Sequence, residues 1–313
     1  MDKRRYLVTG GAGFIGSHIV EELVRQGCFV RVMDNLSNGR IENLHGFLNK
    51  IEFLRGDLRE RQDCVRAVRL IDCVVHQAAL RSVPKSLLHP QEYNAVNIQG
   101  TLNLLQASVE QKVMTFVFAS SSSVYGDTRV FPEKEDAPLA PISPYALTKL
   151  TGEHYCRMFS YHYRLSTTSL RYFNVFGPRQ SLDDEYAVVV PKFINCILHD
   201  EHPPVYGTGR QSRDFTYVSN VVRANLIAAQ RERGKGEVFN VASGQDYSVL
   251  ELVDILNALT GKNIKPKLLP PRRGDVFRTL ADLSYAKRRL KFKPEVDFIQ
   301  GLKRTLEHFK SHA

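Results

Sequence analysis

Several features that would decide the class of a protein are missing from this chain. Apolar residues nowhere run on for the roughly 20 positions that a bilayer-spanning helix needs. The start, Met1-Asp2-Lys3-Arg4-Arg5, passes directly into a short strand-like segment instead of the apolar core of a secretory signal. The expected setting is therefore cytoplasmic, with no membrane partner. Cysteine is sparse: Cys28, Cys64, Cys73, Cys156 and Cys196 are odd in number and widely spaced. With no Cys-x-x-Cys pair and no histidines at metal-ligand spacing, they read as reduced packing residues, and no metal is expected. Basic runs interleaved with aromatics are also absent. The formal net charge is +10, but the lysines and arginines are dispersed, which argues against nucleic acid and suits a small anionic ligand. No internal repeat and no low-complexity tail occurs.

What is present is enough apolar surface for a sizeable core: 43% of 313 residues. Short apolar runs alternate with longer helical patterns from the beginning. Tyr6-Leu7-Val8-Thr9 is followed by a helix from Ile15 to Arg25 and then by Phe29-Val30-Arg31-Val32-Met33. Strands near Ile51–Leu54, Asp72–His76 and Thr115–Ala119 continue a βαβ rhythm, the pattern of a Rossmann-type, doubly wound parallel sheet in an α/β fold. After Arg171 the rhythm weakens and Pro, Gly and charged residues become denser. Residues 1–173 are expected to form the dinucleotide-binding domain, with segments near 214–241 returning to it. Residues 174–313 should mainly build a smaller α/β substrate lobe, the ligand site being the cleft between the two.

Gly10, Gly13 and Gly16 stand three apart in Thr9-Gly10-Gly11-Ala12-Gly13-Phe14-Ile15-Gly16, after a strand and opening a helix. Missing β-carbons allow a tight turn and close backbone approach to a pyrophosphate, and the helix N-terminus at Phe14 and Ile15 favours the anion. Asp34 ends the second strand about 20 residues beyond the loop, where a carboxylate can accept both ribose hydroxyls of NAD and repel the 2′-phosphate of NADP. The alternative for Asp34 is a cap for the turn that follows, whose Asn35, Ser37, Asn38 and Gly39 are expected at the same cofactor. Asp57 and Leu58 close the third strand and are candidates to clamp the adenine, although Gly-Asp after a strand is also ordinary turn chemistry.

Tyr145 and Lys149 lie four apart, so on a helix they share one face. A neighbouring ammonium and a nicotinium ring both favour a phenolate, pulling the pKa of Tyr145 toward the working range of a base. Upstream, Ser120-Ser121-Ser122-Ser123-Val124-Tyr125-Gly126 emerges at the carboxyl edge of a strand.

At these residues the chain resembles the extended short-chain dehydrogenase/reductase family acting on nucleotide sugars. The resemblance runs over essentially the whole chain through TGGAGFIG, HQAAL, SSSSVYGD, SPYALTK, RYFNVFG, SRDFTY and RRGDV, in the family's order. It is closest to the UDP-N-acetylglucosamine and UDP-glucose 4-epimerase branch, through His76–Ser86 and Ala187–Lys192. The resemblance implies NAD as cofactor, a UDP-sugar as substrate and a homodimer. It makes Tyr145 the base and has Lys149 bond the nicotinamide ribose. Ser121 would hydrogen-bond the sugar 4-oxygen because it precedes Tyr125 by four; Ser122 is the alternative in a run of four serines. Gln77, Ala78, Ala79, Tyr172 and Asn97 would lie on the cofactor side, Asn97 being equally readable as a buried polar residue between helices.

On the substrate side the resemblance implies Ser82, Asn174 and Val188, a diphosphate clamp of Arg213 and Arg272, and Asp275. Thr279, four after Asp275, would be a small gate at the sugar 2-position, unless Phe277 or Arg278 fills that space. In the family's dehydratases and decarboxylases carboxylates occupy the segment before the Tyr-Gly; here it is Ser122-Ser123-Val124. The expected reaction is therefore 4-epimerisation through a transient 4-keto sugar. The alternatives are a UDP-glucuronate 4-epimerase or decarboxylase and a net sugar-nucleotide oxidoreductase.

Overall fold

The structure is a computed structural model that describes residues 4–182, 189–232, 234–271 and 276–311. Its centre is a seven-stranded sheet built from β1 (Arg5–Thr9), β2 (Phe29–Asp34), β3 (Glu52–Arg55), β4 (Cys73–His76), β5 (Thr115–Ser121), β6 (Ser166–Tyr172) and a late strand, Lys235–Val241. The spatial order is late strand, β6, β5, β4, β1, β2, β3, and every pairing is parallel. This is the doubly wound α/β fold that the βαβ rhythm predicts. The order reverses between β1 and β4, which opens a crevice at the carboxyl ends of those strands.

Both faces of a parallel sheet are covered, so its strands are apolar on alternating sides. Val8, Val32, Val75 and Val117 face a core shared with Ile19, Val20 and Leu23 of helix α1 (Phe14–Arg25). Leu7, Val74, Phe116 and Phe118 face the other way, onto helices α2 (Arg61–Val68), α5 (Gly100–Glu110) and α6 (Pro144–Tyr163). Between α2 and α5 lie two short helices, α3 (Val83–Leu88) and α4 (Pro90–Tyr93), and a π-helical turn, Asn94–Gln99. Ser143 starts α6 by accepting a hydrogen bond from the Ala146 N–H, with Pro144 in the first turn.

The second layer of structure joins β7 (Val175–Phe176), α7 (Val189–Leu198), β8 (Pro204–Tyr206), β9 (Ser212–Asp214), β10 (Thr216–Tyr217) and α8 (Val218–Ala229). The late sheet strand is β11, followed by β12 (Asp246–Ser248), α9 (Val249–Thr260), β13 (Lys267–Leu269) and α10 (Phe298–Ser311). Phe176, Phe193, Phe215, Leu252, Phe298 and Leu302 form this lobe's own core. Helix α8 and β11 belong with the large sheet, as do Ala286, Leu290 and Phe292, which pack into the α1 face from late in the sequence. Among the described residues, no helix is long and apolar enough to cross a membrane.

Candidate active site

A cavity of about 1830 Å³ follows the crevice from the glycine loop to the lobe. Gly10 adopts φ +66° at the end of β1, and a Cβ there would lie 2.7 Å from the Ala78 backbone. A Cβ on Gly16 would meet the Gly10 carbonyl oxygen at 2.1 Å, so the loop can sit tightly against the α1 N-terminus only with glycine at both places. At the end of β2, Asp34 is buried, its carboxylate accepting from Ala12 N (3.0 Å) and Leu36 N (2.9 Å). It caps its own turn, as the alternative reading expected, yet each oxygen keeps a second lone pair and the residue lines the cavity. Burial raises its pKa against the pull of those two N–H groups. Phe14, Ile15, Asn35, Ser37, Asn38, Gly39 and Leu58 line the same end. Asp57 is engaged by the Arg59 fork (3.0 and 2.7 Å) and by Asn35 Nδ2 (2.9 Å), which hold its pKa well below the usual carboxylate range.

Helix α6 brings Tyr145 and Lys149 to one face, as their spacing requires. Lys149 Nζ donates to Ala119 O at 2.9 Å and lies 5.9 Å from the Tyr145 ring; burial lowers its pKa to about 8. The expectation that Lys149 would draw the phenol down needs correction. Burial dominates and raises the pKa of Tyr145, opposed by a hydrogen bond with Ser121 and by the positive charge of Arg81.

The four serines separate by strand alternation. Ser120 points into the protein and donates to Glu153 Oε1 at 2.5 Å. Ser121 points to the cleft, where it meets Tyr145 and accepts from Ser123 Oγ at 2.9 Å. Ser122 lines the cavity as well.

Gln77, Ala78, Ala79 and Tyr172 line the cavity behind this pair. Gln77 Nε2 donates to Tyr172 Oη (2.9 Å) and to Asn225 Oδ1 (3.1 Å). Two expected contacts are placed elsewhere. The Asn97 amide donates to Leu80 O (2.9 Å) and Thr148 Oγ1 (3.0 Å), and its oxygen accepts from Leu80 N (2.8 Å). Its two N–H groups are thus taken by protein, which makes it a tie between the β4 loop and α6. Ser82 caps α3, accepting from Lys85 N at 3.3 Å.

In the lobe, Asn174, at φ +35°, donates through Nδ2 to Thr279 Oγ1 at 2.9 Å. Arg278 is held away by a fork to Asp246 (2.8 and 3.0 Å) and Phe277 is exposed, so Thr279 is the one of the three that faces Asn174 at the cavity. Arg213 lines the cavity and donates to Ser212 O at 2.8 Å. Val188, Arg272 and Asp275 lie outside the described residues. The structure adds Arg81, Lys192, Tyr206 and Gln211 to the lining. None carries a spacing signal of its own, although Arg81 and Lys192 lie inside segments that the resemblance rests on.

Residues 6–242 match the NAD dependent epimerase/dehydratase family. The chain belongs to this family. A UDP-glucose 4-epimerase of Mycolicibacterium smegmatis is 37% identical over 311 residues, covering 98% of this chain and 99% of that one. The solved UDP-N-acetylglucosamine 4-epimerase of Methanobrevibacter ruminantium M1, in complex with UDP-N-acetylmuramic acid, superposes with a TM-score of 0.95 at 40% identity over the full length of both chains. The Thermus thermophilus UDP-glucose 4-epimerase in complex with NAD gives 0.90 at 36%, covering 99% of this chain and 100% of that one. The residues of this epimerase/dehydratase chain fit the family's NAD. The glycine loop leaves no room for a Cβ where a pyrophosphate must approach, and a buried carboxylate with open lone pairs ends β2.

Proposed function

We propose that this family member interconverts the C4 epimers of UDP-sugars, taking UDP-N-acetylglucosamine and UDP-N-acetylgalactosamine and also UDP-glucose and UDP-galactose. The observation that carries this reading is that Ser121, Tyr145 and Lys149 line one cleft beside a segment, Ser122-Ser123-Val124, that holds no carboxylate. Elimination of a sugar hydroxyl needs an additional acid–base pair at the neighbouring carbons, and among the described residues the serine segment supplies none.

Bound NAD supplies the acceptor and later the donor of the C4 hydride. Tyr145 takes the 4-hydroxyl proton while Ser121 bonds the same oxygen, which develops into a ketone. Lys149, with two N–H bonds left beyond Ala119 O, holds the cofactor-side ribose and keeps positive charge in the neighbourhood of the phenolate. Arg213 anchors the diphosphate while the keto-sugar turns its other face. Tyr145 then returns the proton to the oxygen, so the net change is inversion at C4 without consumption of cofactor. Thr279, held by Asn174, leaves room for an N-acetyl group at C2. In this reading the protein works as a cytoplasmic homodimer serving polysaccharide precursors; all five cysteines are free, which suits a reducing compartment.

Proton NMR of the purified protein against UDP-GlcNAc, UDP-GalNAc, UDP-glucose, UDP-galactose and UDP-glucuronate tests the proposal. Epimers of the first four with no reduced nicotinamide accumulating is the expected result. Turnover of UDP-glucuronate alone, or stoichiometric reduced cofactor, would replace it with one of the alternatives.

A further inference from the structure

Behind the serine segment lies a polar network, buried on every side, that the proton and hydride chemistry does not use. Glu153 follows Lys149 by four on α6, so Tyr145, Lys149 and Glu153 form one stripe down the helix. Each of the three reaches the end of β5: Tyr145 at Ser121, Lys149 at Ala119 O, Glu153 at Ser120 Oγ. Arg171, the cross-strand neighbour of Ser120 on β6, forks onto the Glu153 carboxylate at 2.9 and 2.8 Å. Its other nitrogen donates to Tyr125 Oη at 2.9 Å. Tyr125 Oη in turn donates to Asn240 Oδ1 at 2.7 Å, on β11, where Asn240 sits beside Arg171 in register. Ser120, Tyr125, Glu153, Arg171 and Asn240 are all at most 4% exposed.

The segment that presents Ser121 is therefore fixed at both ends by one ion pair: at Ser120 through Glu153, and at Tyr125 through Arg171. We infer that Glu153 and Arg171 are positioning residues of the reaction, holding Ser121 opposite Tyr145 by clamping Ser120 and Tyr125. A buried ion pair is weak evidence for stability, since apolar residues of similar volume often replace one without loss. Its bonds here run to the two residues that bracket the reacting serine, which a purely stabilising pair does not require. The inference rests on Tyr145 and Ser121 being the reacting pair.

Ser120→Ala removes one hydroxyl and leaves the ion pair standing. Its kcat on UDP-GlcNAc is expected to fall about 10- to 100-fold, with KM, NAD content and Tm close to those of the parent, since a displacement of about 1 Å is enough for such a loss. Tyr125→Phe should act in the same direction. The doubly substituted Glu153→Met, Arg171→Met protein separates positioning from stability: it is expected to melt above Glu153→Gln yet stay as slow as Ser120→Ala. Parental kcat in Ser120→Ala, or turnover that recovers together with Tm in the Met pair, overturns the inference. Tyr145→Phe in the same assay tests the underlying reading separately. If it is inactive while Ser120→Ala is unimpaired, only the positioning role fails; if it is active, the reacting pair itself is misassigned.

Discussion

The phenol proposed as the base, Tyr145, sits where burial raises its pKa and a serine hydroxyl and a guanidinium lower it. Tyr145→Phe removes the base and keeps the ring, so turnover should fall about 10²- to 10⁴-fold with fold and NAD content retained; near-normal epimerisation would contradict the assignment. In the proposed reading Thr279 acts through its size, and Asn174 donates to it. Replacing it with Tyr should suppress the N-acetylated substrates about 10- to 200-fold relative to UDP-galactose. Equal loss on both pairs, read by comparing kcat/KM, would mean that the Asn174 tie matters and the gate does not. Residues whose chemistry is specific to a spacing, such as Gly10, Asp34, Tyr145 and Lys149, were legible in the sequence. Asn97 matches the second of its two readings, a buried polar residue, while Ser82, read toward the substrate, caps α3, because a hydroxyl near a helix start finds backbone partners that one-dimensional spacing does not display. Arg81 was not singled out, since its effect is a charge across a cleft.

At the scale of elements, the end of β5 and the first three turns of α6 are registered against each other, and the helix stripe that does this was legible only for its first two members. Glu153 extends the same spacing of four, but its partners Ser120 and Arg171 come together only through strand pairing. A second buried acid stitches the loop after β5 to the segment before α10. Glu133 exchanges backbone hydrogen bonds with Leu280 (2.7 Å) and Asp282 (2.8 Å), and its carboxylate accepts from Leu280 N at 3.0 Å. Burial, with Asp214 adding to it, raises the Glu133 pKa from 4.5 to about 7. The folded protein thus holds a proton that the unfolded chain has released, so stability falls as pH rises from about 4.5 to about 7. Glu133→Gln keeps the acceptor without the charge. Its stability advantage over the parent should grow across that interval to the order of 1–3 kcal/mol, as followed by thermal unfolding of the holoenzyme at several pH values. A difference that stays flat with pH would contradict it.

For the molecule as a whole, the parallel sheet and its crevice follow from apolar runs alternating with helical periods; the positions of β1 to β5 were legible, whereas β6 and the spatial order come from strand pairing. Helix α8 and β11, which lie with the large sheet, fall within the 214–241 segment expected to return to it, whereas Ala286, Leu290 and Phe292 join the same core from later in the chain, a return that only long-range packing decides. The apolar positions of α5 and α6 divide between the protomer core and its surface. Leu105 and Phe159 are buried in the protomer core, whereas Leu102, Val109 and Tyr155 are partly covered and Met158, Leu147 and Tyr161 are exposed on α6. A homodimer through α5 and α6 is expected by light scattering at micromolar concentration, and a monomer there would remove that part of the proposal. The central claim is that one C4 hydrogen leaves the sugar and returns to it on the opposite face. UDP-GlcNAc carrying deuterium at C4, incubated with the enzyme in ordinary water, tests this most directly by NMR. The account predicts UDP-GalNAc with deuterium retained at C4. Loss of the label to solvent, or conversion that leaves C4 uninverted, would contradict it.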